Sequence, residues 1–518
     1  MSEAPEALRY PEACVASPHH LASQVGLDVL ASGGNALDAA IATNLTLGVV
    51  LPYLCGYGGD VFALVWKEEL FAYNGSGRAP ASATVEAVRT AAGSGRMPMF
   101  GPLSVTVPGA VAGWFDLLER FGTRSFQELA APAVGYARTG FVLSAPAMQS
   151  IERARDRFAW SDSWQAVYGS AREGDMLRQP DLSRTIERVA EGGAEAYYRG
   201  PIAEAIAGRI RSLGGLMDPQ DLASHRGDWI SPLSTRYRDV EVFELPPNTQ
   251  GVAALEALNI LQALGPLPPE GPDRQHSMLE AMKLSLADRN EHVTDAAAMR
   301  LSPDRLAAPS WAAERASFID PGRAAQPAPV RPAMGGTAYL CAADANGMLV
   351  SLIQSNYMGF GSGVTVPDWG INLQNRGAFF SLDPSHVNVV APRKRTLHTL
   401  IPAMAFRRGR PWMAFGAMGG DGQAQTHLQL LARIVDDGED VQRAIHAPRW
   451  VVSPADWSVT AESRFDPGLL DELRRRGHRL SVTQEFDSSM GHAHAIQVTD
   501  AGYAAATDPR AEGAALGL

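Results

Sequence analysis

Gly419-Gly420 lie in the run FGAMGGDGQAQTHLQLLARI, where a β-type segment ends and an amphipathic helix begins shortly after. Glycine lets the backbone approach a bound group closely, and the start of a helix is electropositive. Backbone N–H groups at such a turn converge on an anion, which is what an oxyanion hole requires. A plain strand–helix turn fits the same residues. Gly335-Gly336-Thr337 is a second place of interest, because a connector ends there abruptly at a threonine that opens a strand. On pattern alone this is an ordinary loop-to-strand junction. His492 and His494 alternate in GHAHAIQV and so share one face of a strand. Two histidines two apart can bind a metal, but no third ligand is identifiable nearby, and they read as core or surface histidines. The glycine-rich GYGGDVFALVW lacks the spacing and order of a dinucleotide site, and no G-x-S-x-G, H-E-x-x-H or Walker loop occurs.

The elements around these residues follow from periodicity. ALDAAIATNLTLGVV is apolar on nearly every face, as in a buried helix, and Gly33-Gly34 before it reads as a turn between two helices. Residues 110 to about 290 read as largely helical, with apolar residues at three-to-four spacing. Asn346-Gly347 between two β-rich runs predicts a hairpin. Residues 308–334, rich in Ala, Pro and Arg and without period, predict an exposed, mobile connector.

Composition excludes more than it proposes. The chain has 518 residues, 46% hydrophobic and 19% charged, with a net charge of −11. That suits a large globular core, and the acidic balance disfavours a nucleic-acid partner. No apolar run is long enough to predict a membrane span. Three scattered cysteines and an acidic amino terminus without a signal-peptide pattern point to the cytoplasm.

Taken in order, these segments resemble the γ-glutamyltranspeptidase family of N-terminal-nucleophile hydrolases. The resemblance runs through GGNALDAAIATNLTLGVV, GYGGDVFALVW, VPGAVAGWFDLLERFGT, LSLADR, GGTAYLCAADANGMLVSLIQSN, FGSGVTVPDWGINLQNRG, GAMGGDGQ, APRW and DPRAEGAALG. It implies an α/β fold, a four-layer αββα sandwich made as one precursor that cuts itself between Gly336 and Thr337. The large subunit is then 1–336 and the small one 337–518, remaining one intertwined unit, with dimers of such units left open. The connector's end is then free to move off the pocket above Thr337. Thr337 is implied to supply the nucleophile through its hydroxyl and the general base through its new α-amine, whose ordinary pKa is roughly 7.7–8.0. No metal or organic cofactor enters this chemistry.

Residue by residue, Gly419 and Gly420 match the family's oxyanion-hole glycines, and Ser355 its supporting hydroxyl. Asn356 and Tyr357 fall at its following asparagine region. Other positions depart. The family's Thr-Thr-His reads Thr337-Ala338-Tyr339 here, so Ala338 lacks a hydroxyl. Ser76 stands where the family has its carboxylate-gripping arginine, and the nearest arginine moves to Arg78. Ala378 and Phe379 replace the acid that holds the glutamyl amine, and His398-Thr399 replace paired serines. An ammonium headgroup loses its partner charge in such a pocket. Arg376, His398 and Arg78 suit a carboxylate instead. The expectation is a small-molecule amide substrate of the oxamate type. Glutathione or γ-glutamyl hydrolysis or transfer, cephalosporin acylase activity, and an uncut non-catalytic relative are the alternatives.

Overall fold

The structure is a computed structural model and describes residues 5–269, 271–328 and 335–518. Asn346-Gly347 closes a hairpin as expected: Gly347 takes φ +82°, and strands Gly336–Ala343 and Leu349–Tyr357 pair antiparallel on either side. All nine residues of Leu349–Tyr357 are buried, as in a strand covered on both faces.

This hairpin is the centre of a seven-stranded antiparallel sheet. Its order is Ala514–Gly517, Cys14–Ser17, Gly336–Ala343, Leu349–Tyr357, Asp60–Lys67, Glu69–Asn74 and Asp228–Ile230. A second seven-stranded antiparallel sheet runs Leu8–Tyr10, Gly502–Thr507, Ala493–Thr499, Arg410–Ala417, Ala403–Arg407, Val240–Glu244 and Leu233–Tyr237. Both sheets therefore draw on chain before and after residue 337.

Alternation along the strands separates three cores. Phe62, Leu64, Tyr339, Cys341 and Ile353 meet Leu400, Met404, Ala414 and Ile496 between the sheets. Val61, Ala63, Leu340 and Leu352 face outward under helices that include Ala36–Val50 and Ala110–Phe121. Val242, Ala405, Met413 and Ala495 do the same under helices Gly251–Leu264 and Pro272–His292. The architecture is the expected four-layer αββα sandwich. Helix Ala36–Val50 is buried throughout and is started by a capping box of Asn35 and Asp38. Among the described residues no helix is long and apolar enough to cross a membrane.

Two expectations need correction. The stretch read as largely helical also contains five strands: Phe141–Val142 and Met176–Leu177 pair with each other, Asp228–Ile230 and Leu233–Tyr237 lie at edges of the two large sheets, and Val240–Glu244 lies beside the latter. The connector is also more ordered than its composition suggests. It forms helix Pro309–Ala316, started by proline and preceded by the short helix Pro303–Leu306. Beyond them the chain is tied down from elsewhere. The His276 ring meets the Asp320 carbonyl at 2.8 Å, and Lys283 donates to the Ala325 carbonyl at 2.9 Å. The Trp457 indole donates to the Ala328 carbonyl at 3.2 Å. Side chains distant in sequence hold this segment, so local pattern does not reveal it. Residues 329–334 of the connector lie outside the described residues.

Candidate active site

Tyr339, Cys341 and Ala343 face the core between the sheets, and the same alternation turns Thr337 to that side at the strand's start. A register slip between Gly336 and Ala338 marks a bulge there, a device that re-aims a side chain. Ser355 lies two residues beyond inward-facing Ile353, and Asp60 two before Phe62. Ser355 and Asp60 are direct cross-strand partners. Thr337, Ser355 and Asp60 thus form one buried row across an end of the sandwich.

The hydrogen bonds along this row are directional. The Thr337 hydroxyl donates to Ser355 Oγ at 3.4 Å, and Ser355 Oγ donates to the Gly336 carbonyl at 2.6 Å. The Tyr357 amide donates to Ser355 Oγ at 2.7 Å. The passage through Gly335 and Gly336 is tight: a Cβ would lie 2.9 Å from the Tyr357 carbonyl at 335 and 3.0 Å from the Tyr53 carbonyl at 336.

Asp60 joins the two sheets. Its Oδ1 accepts from the Gly77 and Gly109 amides at 3.0 and 3.2 Å. His398 Nε2 lies 3.1 Å from Oδ2, while Nδ1 accepts from the Leu400 amide at 3.3 Å. That arrangement makes Nε2 the donor. Burial holds the His398 imidazole well below its ordinary pKa, so it stays neutral. Burial pushes the Asp60 carboxyl up to about 7, opposed chiefly by Arg376.

Arg376 is buried, with its guanidinium 4.2 Å from the Tyr357 ring centroid. Nη1 donates to Thr399 Oγ1 at 3.1 Å, whereas Nε and Nη2 have no hydrogen-bond partner. Burial lowers its pKa to about 10, which leaves it charged at neutral pH. A buried guanidinium with a free Nε–Nη2 edge is a receptor for a planar anion.

Gly419 and Gly420 follow strand Arg410–Ala417 with φ of +139° and +59°, and helix Gly422–Leu431 begins two residues later. Such backbone favours glycine. Among the described residues neither amide donates a hydrogen bond. Strand Arg410–Ala417 packs on strand Gly336–Ala343, since a Cβ at Gly416 would lie 2.4 Å from the Tyr339 ring. Gln250 braces the turn: its Nε2 donates to both the Gly420 and Thr399 carbonyls at 2.8 Å. Arg289 donates to Gln250 Oε1 at 2.5 Å and pairs with Asp421.

The structure thus brings together Thr337, Ser355, Tyr357, Arg376, His398, Thr399 and the Gly419-Gly420 turn. Arg78 is not brought into this cluster. Its guanidinium, 39% exposed, pairs with Asp228 and Asp295 at 3.4 Å. Ser76 is buried behind the site, donating to Asn74 Oδ1 at 2.7 Å. Asn356 points to the opposite face from Ser355, with its amide packed against Gly56 and Gly59. Asp60, Gln250 and Arg289 are additions. Only Arg289 had a signal, lying in LSLADR, while an aspartate after a glycine pair has no readable partner until the sheets close.

His494 is buried and His492 half-buried, and neither belongs to a cluster of three metal-ligating side chains among the described residues. His276, Glu280 and His478 do cluster, but the Lys283 ammonium sits 2.8 Å from Glu280 and occupies the place of a cation.

The gamma-glutamyltranspeptidase family model matches residues 22–518. The glutathione hydrolase-like YwrD proenzyme of Bacillus subtilis is 39% identical over 97% of this chain and 98% of its own. The oxamate amidohydrolase proenzyme of Klebsiella pneumoniae is 37% identical over 97% of each. The crystal structure of cephalosporin acylase from Bacillus halodurans superposes with a TM-score of 0.94 at 38% identity, covering 100% of this chain and 98% of that one. With its αββα fold and these matches along nearly its whole length, the chain belongs to the gamma-glutamyltranspeptidase family.

Proposed function

We propose that this hydrolase of amide bonds cuts itself between Gly336 and Thr337 and then cleaves small amides that carry a carboxylate, oxamate being the first substrate to try. The observation that carries the substrate reading is the free Nε–Nη2 edge of buried Arg376. The opposite charge is already spoken for, because Asp60 is held by two amides and His398. A carboxylate finds a partner here and an ammonium does not, which favours oxamate-like amides over glutamyl ones. The oxamate amidohydrolase among the relatives supports the same reading.

In self-cleavage, Thr337 Oγ1 attacks the Gly336 carbonyl carbon while Ser355 donates to that carbonyl's oxygen. The C–O bond forms as the C–N bond breaks, with the hydroxyl proton passing to the departing nitrogen, which becomes the free α-amine of Thr337. Water then hydrolyses the resulting ester, releasing the Gly336 carboxylate and restoring the Thr337 hydroxyl. In turnover, this amine takes the hydroxyl proton as Oγ1 attacks the substrate amide. The Gly419 and Gly420 amides receive the oxyanion, the leaving amine takes the proton, and water releases the acid. Strand Gly336–Ala343 lies between Cys14–Ser17 and Leu349–Tyr357, so the two products stay interleaved after the cut. Three buried free cysteines suit a reducing compartment, and we place the enzyme in the cytoplasm.

The test is intact mass with amino-terminal sequencing, then assays with oxamate, glutathione and a cephalosporin. A small chain starting Thr-Ala-Tyr-Leu and preference for oxamate is the expected result. A stable single chain sinks the mechanism. Preference for glutathione sinks the substrate reading alone.

A further inference from the structure

Asp60 is a buried carboxyl that the reaction above does not use. Gly77 and Gly109 donate to one oxygen and neutral His398 to the other. The remaining charged or titratable groups around it come from three elements. Arg376 belongs to the turn Arg376–Phe379, Arg395 to the segment leading into Ala403–Arg407, and Tyr197 and Tyr198 to helix Pro180–Tyr198. Arg376 is the strongest of the influences that favour the charged form of Asp60, against a dominant burial that favours the neutral one.

The same guanidinium cannot serve two anions equally. A ligand carboxylate on its free edge cancels much of the positive field at Asp60 and adds a like charge in a buried place. Two carboxylates and one cation then share a site in which His398 stays neutral. Arg395 does not make up the deficit, because it already pairs with Asp228 and donates to the Ser76 carbonyl at 2.9 Å.

We infer that Asp60 takes up a proton when a carboxylate ligand seats on Arg376, so that the subsite binds a monoanion together with one proton. The proton comes from water or buffer and forms an O–H bond on the carboxyl. The inference rests on Arg376 being the carboxylate grip, and it makes Asp60 a determinant of ligand charge: a second negative charge on the acyl part has no proton left to offset it.

The test is calorimetry of the processed enzyme with pyruvate, which keeps the carboxylate and has no amide to cut, in buffers of different ionisation enthalpy. Near pH 8 the buffer dependence should report uptake of most of one proton per site. Near pH 5.5, where Asp60 already holds its proton, uptake should vanish. Above pH 7 affinity should weaken by up to about tenfold per pH unit. Methyl pyruvate, a neutral ester, should show no uptake. Binding of pyruvate without uptake at any pH overturns this inference alone, whereas no binding of pyruvate or oxamate overturns the reading of Arg376 and this inference with it. The Thr337 amine titrates in the same range, and Asp60→Asn separates the two. That variant should bind pyruvate without uptake, and retained uptake overturns the assignment to Asp60. If the variant does not fold, infrared difference spectra of the wild type with isotope-labelled pyruvate decide. A new protonated-carboxyl band supports Asp60, and its absence assigns the proton elsewhere.

Discussion

The ring of Tyr357 lies 4.2 Å beneath the Arg376 guanidinium, while its own amide donates to Ser355 Oγ at 2.7 Å. One residue thus connects the Arg376 guanidinium to the hydroxyl that accepts from Thr337. Tyr357 takes φ +75°, a conformation costly for a bulky residue. The strand's end turns there, directing its ring toward Arg376 as its amide stays on Ser355.

Arg376→Met should separate stability from function. The guanidinium is buried with two unpaired nitrogens, so an apolar side chain of similar length relieves a desolvation cost. The melting temperature should stay the same or rise, while kcat/KM for oxamate falls by about a hundredfold or more. Calorimetric melting and initial rates check both halves.

Ser355→Ala should slow self-cleavage before it affects the fold. It removes the donor to the Gly336 carbonyl and the acceptor of the Tyr357 amide. A loss of about 2–4 kcal/mol of transition-state stabilisation corresponds to a slowing of roughly 30- to 1,000-fold. A gel time course of freshly made protein measures it.

Thr337→Ala should remain a single chain and turn over no amide, whereas Thr337→Ser should still cut. Wild-type amide hydrolysis by the alanine variant would remove Thr337 as the nucleophile. Intact mass and an oxamate assay on the same preparation give the answer.

Gln250→Leu should lower kcat more than it raises KM. Gln250 holds the Gly420 and Thr399 carbonyls and accepts from Arg289, so its loss lets the Gly419-Gly420 turn drift, while Thr399 keeps its hydrogen bond from Arg376. The expected loss in kcat is about ten- to a hundredfold, in line with a misplaced oxyanion donor. Saturation kinetics with oxamate separate the two constants.

Acid should destabilise the protein steeply. Burial holds His19, His225, His427, His478 and His494 down at about 3, and His492 at about 4. Unfolded, each binds a proton near pH 6.5. Their folded pKa values are depressed, so the stability they contribute is full above about pH 6.5 and is lost as pH falls toward about 3–4. Asp60, Asp116, Glu244 and Glu256, whose carboxyls burial pushes up, act with the opposite slope and cost stability as pH rises from about 4. The histidines outnumber them, and denaturant midpoints between pH 7 and 5 should fall with acid.

The hairpin at Asn346-Gly347, the buried helix Ala36–Val50 and the glycine turn at 419–420 were all legible in the sequence. Each depends on neighbours only a few residues away: a turn dipeptide, an unbroken apolar surface, or backbone that only glycine adopts without strain. The family resemblance rests on the same kind of local run, repeated in order. Long-range partners were not legible. Composition made the connector look loose, yet His276, Lys283 and Trp457 tie it down from sites far away in the chain. Arg78 and Arg376 looked equally suited to a carboxylate, and only packing separates them, pairing Arg78 with Asp228 and Asp295 and burying Arg376 with a free edge. Asp60 shows the limit most clearly, because its environment is assembled from Gly77, Gly109 and His398 on separate segments. Residue type and spacing determine the fold class and the reactive groups, since those depend on local geometry. Burial and charge pairing determine which groups stay free to meet a substrate, and they exist only once the two sheets have closed.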